Sequence, residues 1–180
     1  MVVVVEGKSD KTFIESLLTS LNITFSDDNF IVMGNKSNLL NNKEKKYKTL
    51  KNSIESGKIS SNILFILDAD YLSSNMGYEH TQKAIENTRE ELGFKKFAKY
   101  FISCHPQSKE GYLESLILST IDDEQNKCIK NVLECAEIEK KNDKDIFNKV
   151  YRYYYPNSAI NLEHNNFKTL RNELKDLFKK

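Results

Sequence analysis

The chain has 180 residues, a formal net charge of +1, and 39% hydrophobic against 29% charged residues. That length suits one domain with an ordinary core, and the near-zero charge excludes the global field of a strongly basic nucleic-acid binder, leaving local patches for such contacts. Cys104, Cys128 and Cys135 form no CxxC pair, which fits a reduced cytoplasmic chain rather than a disulfide scaffold or zinc site, and no apolar run approaches a membrane span or leader peptide.

Strand-like and helix-like runs then alternate. Val2–Val5 is β-branched throughout and too short for a helix, so it reads as a buried strand. Lys8–Leu21 places Phe13, Leu17, Leu18 and Leu21 on one helical face, capped by Ser9 or Asp10. Asn29–Met33 is a second strand closed by Gly34, and Asn35–Asn42 (NKSNLLNN) has the composition of a flexible loop. Lys43–Gly57 is a helix ending at glycine; its run KEKKYKTLK reads as a solvated lysine face. Asn62–Leu67 is a third strand, apolar on both faces, and Tyr78–Gly93 a helix that again ends at glycine. Lys99–Cys104 is a fourth strand. From Gly111 onward the pattern is helical: Tyr112–Ile121, Glu124–Glu139, Asp143–Tyr154 and His164–Phe178, with Pro156 separating the last two.

Two-sided apolar strands alternating with helices imply a parallel sheet covered on both faces. The expected fold class is therefore α/β: a three-layer, Rossmann-like sandwich with a four-stranded, mainly parallel sheet and a helical C-terminal third. Residues 1–120 hold the α/β unit, and 121–180 form a helical extension packed on it.

In such a sheet, ligands sit beyond the carboxyl ends of the strands, where strand order reverses. Glu6 and Asp10 follow the first strand, Asp68 and Asp70 (in FILDADY) the third, and His105 and Glu114 (in GYLESLIL) the fourth. Acids gathered at one edge repel one another unless a cation intervenes. Carboxylate and phosphate oxygens with water suit Mg²⁺ or Mn²⁺. In an extended segment the DAD spacing puts both aspartates on one side. A metal so held can activate water and hold a leaving oxygen. His105 is either a proton-transfer aid or a turn residue, and Lys8 either an ordinary surface lysine or a phosphate contact at a helix start.

VVVVEGKSD followed by ILFILDAD resembles the Toprim domain, shared by topoisomerases, bacterial primases, ribonuclease M5-type maturases and overcoming-lysogenization-defect nucleases. That family ends its first strand on Glu-Gly and its third on Asp-x-Asp, here Glu6-Gly7 and Asp68-Ala69-Asp70. The resemblance covers roughly residues 1–120. It implies Glu6, Asp10, Asp68, Asp70 and Glu114 as metal ligands, Glu6, Asp68 and Asp70 as the catalytic set, and Lys8 on a phosphate. The expected function is Mg²⁺-dependent phosphodiester chemistry on nucleic acid, DNA or RNA, by a small nuclease. The alternative is a non-catalytic module that binds metal with nucleotide or nucleic acid inside a larger complex. A protein partner or a homo-oligomer fits either reading, and a membrane fits neither. A topoisomerase's DNA-wrapping domains and a primase's zinc region have no counterpart here.

Three rivals fit less well. EGKS looks like the end of a P-loop, but the strand starts at residue 2 and leaves no room for the upstream glycine. A haloacid-type phosphatase would carry its DxD after the first strand. A metal-dependent glycosyltransferase would leave Glu6-Gly7 unexplained.

Overall fold

The computed structural model describes residues 1–74, 76–135, 143–156 and 159–179. Four strands form one all-parallel sheet: β1 (Val2–Val5), β2 (Phe30–Val32), β3 (Ile63–Asp68) and β4 (Ala98–Ser103), in the order β2-β1-β3-β4. The helices are α1 (Lys8–Ser20), α2 (Lys36–Leu40), α3 (Lys45–Glu55), α4 (Tyr78–Glu91), α5 (Leu113–Leu118), α6 (Asp123–Cys135), α7 (Asp143–Asp145), α8 (Arg152–Tyr154) and α9 (Lys168–Phe178). A π-helical stretch, Ile146–Tyr151, joins α7 to α8.

The valine run is buried because β1 is central and covered on both sides. Val3 and Val5 face Phe13, Ile14, Leu17 and Leu18 of α1, together with Leu170, Leu174 and Leu177 of α9. Val2 and Val4 face the opposite layer, with Tyr47 and Leu50 of α3 and Ile85 of α4. Each valine taken fully out of water contributes about 1.5–3 kcal/mol, which is why a short strand can anchor the sheet.

Helix ends follow local chemistry. At the end of α1, Ile23 N–H donates to Leu18 O and Asn22 N–H to Thr19 O, with Asn22 at φ 55° in the left-handed region. At the end of α4, Phe94 and Gly93 donate in the same way to Arg89 and Glu90, with Gly93 at φ 75°. Both are the double-bonded cap that a left-handed residue permits.

One expectation changes here. Asn35–Asn42 is not a featureless loop: Asn35 Oδ1 accepts from Asn38 N–H at 2.8 Å and starts the five-residue α2. Gly7, at φ −130°, ψ 177°, is extended, a conformation open to any residue. The far end of the helix expected over Glu124–Glu139 lies outside the described residues beyond Cys135. Among the described residues no helix is long and apolar enough to cross a membrane.

Candidate functional site

The connection from β1 runs outward to β2, and the one from β3 runs outward to β4 on the other side. Strand order therefore reverses between β1 and β3, and their carboxyl ends open the crevice where such sheets bind ligands. Glu6 and Asp68 sit at those ends and are joined directly: Asp68 N–H donates to Glu6 Oε1 at 2.8 Å. Asp68 Oδ1 in turn accepts the N–H of Leu113, the first residue of α5, at 2.9 Å. That bond ties α5 to the edge and brings Glu114, the next residue, into the same buried region. Asp10 lies in the first turn of α1, and its Oδ2 accepts from Gly7 N–H at 2.7 Å. This is the reach-back half of a capping box, so Asp10 has a structural task as well.

Electrostatics show that these four acids share one neighbourhood. Burial pushes the Glu6 carboxyl up to about 7, and Asp10 and Asp70 add to the rise, while the Asp68 amide and Lys36 restrain it. Asp68 is raised well above the usual carboxylate range, by burial first and then by Glu6, Asp10 and Glu114. Asp10 is raised by burial and by Glu114, partly offset by the Gly7 amide and Lys144. Burial disfavours the charged form, and like charges add to the cost.

Asp70 departs from the expected geometry. Period-two alternation of side chains holds only while the chain stays extended, and β3 ends at Asp68. Asp70 has φ 61°, in the left-handed region where Asp is among the tolerated residues. Its backbone is pinned there by Gly111: Asp70 N–H donates to Gly111 O at 2.9 Å, and Gly111 N–H to Asp70 O at 3.0 Å. Gly111 itself has φ 95°, and a Cβ on it would meet Ser115 Oγ at 2.1 Å, so glycine is required. Asp68 therefore faces α5, whereas Asp70 Oδ2 meets the Lys36 ammonium at 2.8 Å.

Sequence reasoning missed Lys36. Its Nζ also donates to Asp68 O at 2.6 Å, Thr81 Oγ1 at 2.7 Å and Ala69 O at 3.3 Å. The side chain is only 11% exposed. The one legible signal was Asn35 as a helix cap directly before it. Lys144, also missed, lies 5.8 Å over the Tyr112 ring and acts electrostatically on Asp10. Lys8 occupies the first position of α1 and is exposed. His105 serves a turn: its N–H donates to Glu110 O at 2.8 Å, and its carbonyl accepts from Lys109 N–H at 3.0 Å.

Among the described residues, no three His, Cys, Asp or Glu side chains are placed to hold a metal ion as they stand. The donor chemistry nevertheless fits a hard divalent cation. All the donors are carboxylate oxygens, and Glu6, Asp10 and Asp68 each direct one oxygen to a backbone amide, which leaves the second for another ligand.

Comparison with known proteins corrects one expectation. No curated protein and no solved structure matches the chain. The family that does match is not the Toprim family. The resemblance rested on two short motifs, Glu6-Gly7 and Asp68-Ala69-Asp70, and in the second the two aspartates turn to different partners. Over residues 1–153 the chain matches the model of a family described as a protein of unknown function, DUF3226, and it belongs to that family.

Proposed function

We propose that this protein carries out divalent-metal-dependent phosphodiester chemistry on nucleic acid, foremost hydrolysis. The observation that carries the reading is the Glu6–Asp68 junction at the point where strand order reverses, with Asp10 and Glu114 in the same buried neighbourhood. Mg²⁺ or Mn²⁺ would be held by Glu6, Asp10, Asp68 and Glu114, and when bound it would supply an activated water and charge stabilisation at the phosphorus. Glu6 holds a proton near neutrality when no cation is bound, and with Oε1 engaged by the Asp68 amide, Oε2 is the atom that carries or accepts it. Asp68 orients α5 through Leu113 N–H and so sets the position of Glu114. Lys8, exposed at the start of α1, is the contact for a substrate phosphate, and Lys144 is a second basic group on the Asp10 side.

A second reading is favoured by Lys36, whose ammonium already neutralises Asp70: the edge binds metal with nucleotide or nucleic acid and does not cut. One experiment separates the two. Labelled single- and double-stranded DNA and RNA are incubated with wild type and Asp68→Asn, in Mg²⁺, Mn²⁺ or EDTA, and both cleavage and retention are read. Metal-dependent cutting lost in Asp68→Asn supports hydrolysis. Metal-dependent retention without cutting supports the binding module, and neither signal refutes both.

A further inference from the structure

We infer that Lys36 is the resident second cation of this site: its fixed ammonium, and not a second metal ion, neutralises Asp70, so the edge takes one divalent cation per chain and Asp70 is not among its ligands. This rests on the metal-binding reading above and specifies how that site is built.

Lys36 is held firmly in place. Surface lysines reach opportunistically on long, mobile stems, and their ion pairs come and go. Lys36 differs because its helix is pinned on several sides. Asn35 caps α2, Leu39 is fully buried, Tyr47 OH donates to Leu39 O, and Thr88 Oγ1 donates to Leu40 O at 3.0 Å. The ammonium at the end of this fixed stem finds four oxygens: the Asp68 and Ala69 carbonyls, the Asp70 carboxylate and the Thr81 hydroxyl. Thr81 is itself fully buried and oriented by donating to Ala69 O at 3.0 Å, so its lone pairs point to the ammonium. An ammonium has three protons, and here none lacks an acceptor.

Asp70 is set apart from Asp68 by its backbone. Its left-handed backbone, locked to Gly111 by two hydrogen bonds, takes its carboxylate out of the strand alternation that Asp68 obeys. Asp68 senses Glu6, Asp10 and Glu114 as its charged neighbours; Asp70 and Lys36 also act on Glu6, but Asp70's own direct contact is the Lys36 ammonium. A dication ligated by Asp70 would sit within a few ångströms of a fixed ammonium in a partly water-shielded crevice, where like charges oppose each other strongly. Lys36 thus acts as a positioning residue. It holds the Asp68–Asp70 backbone and reserves Asp70 for itself.

The test is Mn²⁺ binding to the full chain, read by loss of the free-ion electron paramagnetic resonance signal, for wild type, Asp68→Asn, Asp70→Asn, Lys36→Met and the Lys36→Met/Asp70→Asn double variant. We expect one Mn²⁺ per wild-type chain, at least tenfold weaker binding in Asp68→Asn, and less than a threefold change in Asp70→Asn. In Lys36→Met the freed Asp70 should join the ligands, so that adding Asp70→Asn to it now weakens binding at least tenfold. Should Lys36→Met fail to fold, by circular dichroism, the two aspartate variants decide. Two ions in the wild type, or Asp70→Asn weakening binding as much as Asp68→Asn, overturns the inference and leaves the metal reading intact. No Mn²⁺ bound by the wild type removes both.

Discussion

Glu6→Gln in metal-free buffer tests the site's electrostatics most directly. Glutamine keeps an oxygen where Glu6 Oε1 accepts the Asp68 amide but cannot ionise. In the folded chain the Glu6 carboxyl is raised, chiefly by burial, from an ordinary 4.5 to about 7. Between those values the folded state binds more protons than the unfolded one, so stability is complete below about 4.5 and falls as pH rises through about 7. The interval corresponds to about 3 kcal/mol at pH 8, as an order of magnitude. Asp68 and Asp10 are raised too and give the variant a residual slope of the same sign. The quantity to read is therefore the difference between the two proteins. Urea unfolding in EDTA should find them close at pH 4.5, with Glu6→Gln more stable by up to about 3 kcal/mol at pH 8. A difference that stays constant across that range would refute the claim that burial opposes ionisation of Glu6 in the folded chain.

Three further outcomes follow from particular contacts. Gly111→Ala puts a Cβ at 2.1 Å from Ser115 Oγ on a backbone at φ 95°; it should cost roughly 3 kcal/mol and lower the melting temperature by roughly 6–12 °C, and an unchanged melt refutes the tight fit. Leu174→Ala, fully buried in α9 against the same core as Val3 and Val5, should cost roughly 2–5 kcal/mol in chemical denaturation; a loss under about 1 kcal/mol would mean α9 does not close the sheet. Asn35→Ala removes the cap of α2 and should cost about 1 kcal/mol in urea titration, while Asn35→Asp, which keeps an acceptor, should not.

The readable parts of this protein were those fixed by short-range pattern. Val2–Val5 and Ile63–Leu67 are apolar without interruption because β1 and β3 are central, and that alone implied a parallel sheet covered on both faces. Glycines after helix-period runs marked the ends of α3 and α4, since only a left-handed residue closes those caps. Glu6, Asp10, Asp68 and Glu114 were visible as the acids that follow strands or open helices. Three features were not visible, each for a physical reason. Lys36 sits in a helix too short to show periodicity, and its acceptors lie 32 to 45 residues downstream. Asp70 leaves the strand alternation because of a pairing with Gly111 that no local pattern encodes. The core role of α9 depends on which sheet face its leucines meet, which the helical period does not specify. Family membership was misjudged for a related reason: two short motifs constrain a chain far less than a match along 153 residues does.

The central position of β1 also bears on how the chain is made. A strand that pairs with β2 on one edge and β3 on the other needs both before its backbone groups are satisfied, and β3 lies far downstream. Its outward layer needs α9, near the end of the described chain, to cover Val3 and Val5. While the chain is being synthesised, four consecutive valines therefore wait without partners, as a short, uncharged, strongly β-forming segment of the type that pairs with other chains. Sheets assembled from such distant pieces close slowly. Glu6 and Lys8, which follow the run within three residues, put charges beside it of the kind that break up exposed strand-forming segments.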